Sequence, residues 1–171
     1  VGVHDELRKH FARSEAAKQY GAKLAAEAGS KPGRHRGLTA GAFSYNTGSL
    51  RCDTCDGTGQ ISLDVQFLPD VEICCPDCRG SRYRRAAHEI RCFFDDGAAY
   101  SLPDLMAMSV DEALTVCAGL SRVSKKLQVL HDLGLGYLTL GEQTPGLSGG
   151  EAQRLKLASE MGRGQGDSVF V

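Results

Sequence analysis

The chain has 171 residues, 42% of them hydrophobic and 24% charged, enough apolar material for one packed domain or a main domain with a small inserted module, and this excludes disorder as the default. Its 20 Lys and Arg against 21 Asp and Glu leave a formal net charge of -1, which excludes a protein that coats nucleic acid by overall basicity, so any nucleic-acid surface must be a concentrated one. No apolar run is long enough to span a bilayer, and the charged opening VGVHDELRKHFAR has no signal-peptide apolar region, so the expectation is a cytoplasmic chain without a membrane partner.

The first predicted element is helical. HDELRKHFARSEAAKQYGAKLAAEA is rich in helix formers and sets Leu7 and Phe11 on one face, while its Ala-rich second half has little to bury. Residues 1–40 read as this helical segment followed by a basic link, SKPGRHRG, which concentrates Lys31, Arg34, His35 and Arg36 between Gly and Pro.

Residues 41–92 read as a metal module. Cys52-Asp53-Thr54-Cys55 and Cys75-Pro76-Asp77-Cys78 are CxxC pairs with nineteen residues between them, the pattern in which two tight turns each present two thiolates to one tetrahedral zinc ion. Both continue as CxxCxG, and Gly57 and Gly80 suit a chain that must reverse closely around a metal. Between the pairs, Ile61, Leu63, Val65 and Phe67 alternate with polar residues, the chain turns near Leu68-Pro69-Asp70, and Val71 and Ile73 return: a hairpin. A lone hairpin is marginal in water, so the ion supplies stability that so small a core cannot.

Other uses of these thiols fit less well. Disulfides lack a secretory context, and a redox CxxC normally sits singly near a βαβ unit. Cys74 in place of Cys75 widens one pair to CxxxC, and a mixed site of His88 and Cys92 with Cys75 and Cys78 leaves Cys52 and Cys55 without a role. Cys74, Cys92 and Cys117 are read as small apolar fillers. Directly after the second pair, CRGSRYRRAAHEIR carries Arg79, Arg82, Arg84, Arg85 and Arg91 around Tyr83. Such a stretch can neutralise DNA phosphates, with Tyr83 stacking or packing; a solvated charged face has the same composition, and both readings stand.

Residues 93–171 read as helical. SVDEALTVCAGL opens with Ser109 and Glu112 in capping-box spacing and lines Val110, Ala113, Leu114 and Cys117 along one face. SRVSKKLQVLHDLG follows with Val123, Leu127 and Leu130 in register and Gly134 as its stop. In LSGGEAQR, Ser148 is the N-cap of a helix whose first turn holds Gly149, Gly150 and Glu151, with Leu155 and Ala158 facing inward and Gly162 near the stop. Free N–H groups, the positive end of the helix dipole and two glycines make a phosphate-binding device; a plain capping box uses the same Ser148 and Glu151. The closing DSVFV reads as an apolar strand of Walker B type, and GxxxxGK[ST] occurs nowhere.

At this point the residues resemble a family. LSGGEAQR matches the signature of ATP-binding-cassette (ABC) ATPases, and LGLGYLTLGEQTPGLSGGEAQRLKLASEM resembles the second ATPase half of the UvrA family, the damage-recognition subunits of bacterial excinucleases. GAFSYNTGSLRCDTCDGTG, FLPDV and CPDCRG resemble that family's C-terminal zinc finger, and GVHDELRKHFA more weakly resembles the segment leading into it. The resemblance implies an α+β fold: a mostly helical ABC signature subdomain with an inserted zinc-stapled β-hairpin, a fragment of a P-loop ABC ATPase. It implies one structural Zn²⁺ on Cys52, Cys55, Cys75 and Cys78, and it sets Ser148, Gly149, Gly150, Glu151 and Gln153 against an ATP bound by the opposite half. ATP and Mg²⁺ are then cofactors of the full-length protein. The implied partners are damaged double-stranded DNA, a second copy in a homodimer and the UvrB component of the excinuclease, in nucleotide excision repair. No catalytic residue is expected in this segment, since a P-loop Lys, Mg²⁺ ligands and catalytic carboxylate are missing, so alone it would be inactive.

Some stretches depart from the pattern. Thr47-Gly48-Ser49-Leu50 stands where a basic, Gly-rich link is expected, Thr144-Pro145-Gly146 precedes the signature, and LAAEAGSKPGRHRG has a lineage-specific look. The main repair subunit and a paralogue of the kind tied to drug tolerance therefore both stay open. The CxxCxG knuckles also resemble the cysteine-rich region of heat-shock co-chaperones that bind unfolded polypeptide, for which four knuckles and two zinc ions are expected.

Overall fold

The computed structural model describes residues 2–27, 37–63, 71–142 and 146–161. Lys31, Arg34 and Arg36, the expected hairpin tip at 68–70 and the DSVFV strand lie outside the described residues.

Helix α1, Val3–Arg13, buries Val3, Leu7 and Phe11, one stripe at a spacing of four. The helical segment expected here comprises two helices: Ser14 takes an extended conformation (ψ 153°), and its Oγ accepts the Ala17 N–H at 3.1 Å, so Ser14 ends α1 and starts α2, Glu15–Glu27. Strands β1, Gln60–Leu63, and β2, Val71–Cys74, pair antiparallel with Ile61 opposite Ile73 and Leu63 opposite Val71. The four apolar side chains share one face, but Leu63, Val71 and Ile73 are exposed and only Ile61 packs inward, against the cysteines.

A short unit follows: α3 Arg85–Glu89, β3 Arg91–Phe93, β4 Ala99–Ser101 and α4 Leu102–Ala107, with β3 and β4 antiparallel. Ser101 ends the hairpin and caps α4, its Oγ accepting the Asp104 N–H while the Asp104 carboxylate accepts the Ser101 N–H at 2.9 Å. Helices α5, Val110–Val116, and α6, Ser121–Asp132, pack together, with the expected Ser109–Glu112 capping box at the head of α5. Helix α7, Gly149–Met161, buries Ala158 and half-buries Leu155.

These elements surround one apolar cluster. Leu7, Phe11, Phe43, Tyr83, Ile90, Leu102, Leu105, Leu127 and Leu135 are all buried in it, each large side chain stabilising by about 1.5–3 kcal/mol. Phe43, Leu50, Tyr83, Ala87, Ile90 and Cys92 thus share the helical body's core, while the four paired cysteines and Ile61 form a second cluster.

A buried polar relay ties α1 to the chain leaving the second knuckle. The Tyr83 hydroxyl donates to the Phe43 carbonyl at 2.9 Å, so its oxygen accepts from His4 Nε2, also at 2.9 Å, which makes His4 the neutral Nε2–H tautomer. Burial, helped by the nearby Arg8 charge, lowers the His4 pKa to about 4 and so agrees with a neutral ring.

Candidate metal centre and signature turn

The two CxxC turns fold as near copies. Asp56 and Gly57 after the first, and Arg79 and Gly80 after the second, all adopt left-handed backbone with φ between 49° and 82°. Gly57 is obligatory for a second reason: a Cβ there would lie 1.7 Å from the Tyr45 carbonyl oxygen. The hydrogen bonds repeat as well. Thr58 N–H donates to the Cys55 carbonyl at 2.9 Å and Ser81 N–H to the Cys78 carbonyl at 3.0 Å. Each knuckle also grips the other, Cys52 N–H on the Arg82 carbonyl at 2.8 Å and Cys75 N–H on the Gly59 carbonyl at 3.0 Å.

This exchange brings Cys52, Cys55, Cys75 and Cys78 together, with every sulfur within 4.8 Å of the others. Cys52 and Cys75 sulfurs stand 3.9 Å apart and those of Cys55 and Cys78 3.6 Å, far beyond a disulfide bond of about 2.05 Å. Tetrahedral thiolates about 2.3 Å from a zinc ion stand about 3.8 Å apart, so the buried donor set fits that ion in number, chemistry and spacing. Burial pushes the Cys78 thiol up to about 12. At Cys55 burial acts the same way, but the Gly59 N–H and neighbouring thiols outweigh it and bring the thiol to about 7. Cys74 is exposed beside the cluster, and Cys92 and Cys117 lie in the helical core.

The arginines divide. Arg82 turns inward: its Nη2 donates to the Gly141 carbonyl at 3.0 Å, and its guanidinium carbon sits 4.8 Å from the centre of the Tyr45 ring. Arg84 donates through Nε to the Arg51 carbonyl at 3.0 Å and pairs with Asp53. Arg79 and Arg85 are exposed. The internal roles of Arg82, His4 and Tyr83 carry no signal in the sequence.

The signature turn forms the capping box that its residues allow. Ser148 N–H donates to Glu151 Oε2 at 2.6 Å, and Glu151 N–H to Ser148 Oγ at 3.3 Å. The Tyr137 hydroxyl donates to the other Glu151 oxygen, and these bonds lower the Glu151 pKa, Tyr137 contributing most. Arg154 Nη1 donates to the Leu133 carbonyl at 3.1 Å, locking α7 onto the end of α6. Gly149 and Gly150 are exposed, and a Cβ on either would meet nothing within 4 Å. Gln153, on the next turn, is exposed too.

No protein-family model matches the chain. It is 38% identical to UvrABC system protein A of Thermus thermophilus over 95% of its length, and 38% and 39% identical to those of Bacillus subtilis and Staphylococcus aureus over 100%. It spans 15–16% of the length of these curated relatives. Among solved structures it resembles UvrA2 from Deinococcus radiodurans, with a TM-score of 0.73 and 37% identity, covering 95% of this chain and 17% of that one. A fold of helices and small antiparallel hairpins like this one thus has a structural relative at 37% identity, and by sequence and fold the chain matches a segment of UvrA-family proteins.

Proposed function

We propose that this chain works inside a longer protein as the signature-bearing part of an ABC ATPase of nucleotide excision repair. In this reading residues 1–40 are a helical entry and basic link, 41–92 a zinc module, and 93–171 the signature subdomain. The observation that carries it is the Gly149–Gly150 pair. Each glycine in a helix costs about 1 kcal/mol relative to Ala. Neither has a left-handed φ, and neither is forced by a neighbouring atom. Their remaining use is to let something outside the chain approach the backbone of the first turn, next to a dipole end that favours an anion.

The chain's own residues then act as follows. Ser148 Oγ accepts the Glu151 N–H, and its O–H proton, now drawn to the Glu151 carboxylate, would turn to a γ-phosphate oxygen. Gly149 and Gly150 admit the phosphate, Glu151 keeps the turn closed through Ser148 and Tyr137, and Gln153 borders the site. ATP and Mg²⁺ are held by P-loop residues that this sequence does not contain. Cys52, Cys55, Cys75 and Cys78 would hold one Zn²⁺, which when bound supplies a fixed tetrahedral anchor and no reaction chemistry.

Damaged double-stranded DNA is the substrate of this reading. Arg79, Arg84 and Arg85, exposed beside the metal knot, and Lys31, Arg34 and Arg36 of the basic link are the candidate phosphate contacts, Arg84 sharing its charge with Asp53, whereas the half-buried Arg82 is spent on the Gly141 carbonyl. A second copy, completing composite ATP sites, and the UvrB component of the excinuclease are the other partners, in the cytoplasm; among the described residues no helix is long and apolar enough to cross a membrane. The main repair subunit and a paralogue both fit this reading.

Gly149→Asp in the full-length protein tests it. The new side chain has open space, so the fold and zinc content should hold while ATP turnover falls by at least about 100-fold. Unchanged turnover overturns the signature role.

A further inference from the structure

The chain leaving the second knuckle returns to the helical body through one residue that touches both. Arg82 lies four residues after Cys78, and its carbonyl accepts the Cys52 N–H at 2.8 Å, so its backbone is part of the grip between the knuckles. That backbone is left-handed, with φ 69°, unusual for a residue with a long side chain. Such a conformation persists when the surroundings fix it from several sides.

The side chain meets those fixed points across a cleft. A cavity of about 300 Å³, lined by Tyr45, Ser81, Arg82, Pro103, Met106 and Gly141 among others, separates the knuckle from the body. The guanidinium spans it, lying over the Tyr45 ring at 4.8 Å and donating to the Gly141 carbonyl at 3.0 Å. The flat fork of Arg can stack and donate at once, which a Lys ammonium cannot.

Gly141 belongs to the segment that runs into the signature turn, seven residues before Ser148. The body holds the same segment from its other side: Leu140 N–H donates to the Met108 carbonyl at 2.9 Å and Gly141 N–H to the Met106 carbonyl at 2.7 Å. Two sets of bonds from two regions therefore meet at Gly141, its N–H given to α4 and its carbonyl to the metal knot.

We infer that Arg82 is a positioning residue through which the metal knot holds the segment ahead of the signature turn, so that a movement of the knot reaches the ATP-facing turn. It is neither a DNA contact nor a metal ligand. The link to ATP rests on the function proposed above; the pin itself rests only on the contacts just described.

The test uses the full-length protein with Arg82→Gln, Arg82→Lys and Tyr45→Leu, the last leaving the knuckle backbone intact. Zinc content, amide hydrogen exchange at Leu140 and Gly141, and the ratio of ATP turnover with and without damaged DNA are measured on each. Arg82→Gln should keep its zinc and the salt dependence of DNA binding, speed exchange at both amides at least about threefold, and move the turnover ratio at least about threefold toward one. Arg82→Lys should recover part of the protection, and Tyr45→Leu should shift both readouts the same way but less. Unchanged exchange in zinc-loaded Arg82→Gln overturns the pin. If the Arg82 variants lose zinc, Tyr45→Leu decides, and unchanged exchange there overturns it equally. A weakened salt slope would return Arg82 to the DNA surface and overturn the assignment. A parent protein whose turnover ignores DNA would sink the ATPase reading, while the exchange data would still judge the pin.

Discussion

Cysteine does two unlike jobs in the two regions of this molecule. In the helical body, Cys92 and Cys117 are buried among Leu, Val and Phe, and burial pushes the Cys117 thiol up to about 11, leaving it an inert apolar filler. In the knot, Cys52, Cys55, Cys75 and Cys78 are equally buried but have only one another and Ile61 for company. The body closes by covering apolar surface. Among the described residues the knot has almost none to cover: three of the four apolar side chains on the paired face of β1 and β2 are exposed, so its closure must come from a bond between sulfur and something that binds all four.

The sharpest way to break this contrast is to remove the ion. Chelation, or Cys75→Ser, should release residues 52–83 to proteolysis and fast amide exchange while the helices of the body persist, the loss at the knot being of the order of 10 kcal/mol of binding free energy. Retained protection of the knot after complete chelation would contradict the account, as would global loss of helix. At the small end, Cys117→Ala should lower stability by only about 1–2 kcal/mol in a denaturant titration, with zinc content unchanged, although Cys117 is as deeply buried as Cys75. Loss of metal in that variant would show that the two groups of cysteines are not separate.

What is legible in the sequence is local. The paired CxxCxG knuckles, the Ser109–Glu112 box, the Val123, Leu127 and Leu130 stripe and the stop at Gly134 each fit within about one or two turns of chain, and all appear in the fold. The break at Ser14 is equally local, a Ser followed by Glu inside an alanine-rich run, but the helix-forming composition on both sides hides it. The β3–β4 hairpin and α4 escape a reading by pattern because strands of three residues and a helix of six are too short to show a period. Arg82 reads as a surface charge from its neighbours in an arginine-rich stretch. Its partner Gly141 lies 59 residues away and Tyr83's partner His4 lies 79 away, and no spacing rule reaches that far.

The signature turn lies between these cases. Ser148 and Glu151 have two readings, a cap and a phosphate site, and the geometry gives the cap its full set of bonds while leaving the two glycines exposed with open space around them. The cap is what the geometry shows, and the proposed phosphate site would use the same closed turn.

The most direct test of the central claim is the metal content of the purified protein by elemental analysis, together with X-ray absorption at the zinc edge. One zinc for each such knot, in a shell of four sulfurs at about 2.3 Å, is the expected result. No zinc, or a shell in which nitrogen or oxygen replaces one of the four sulfurs, would contradict it.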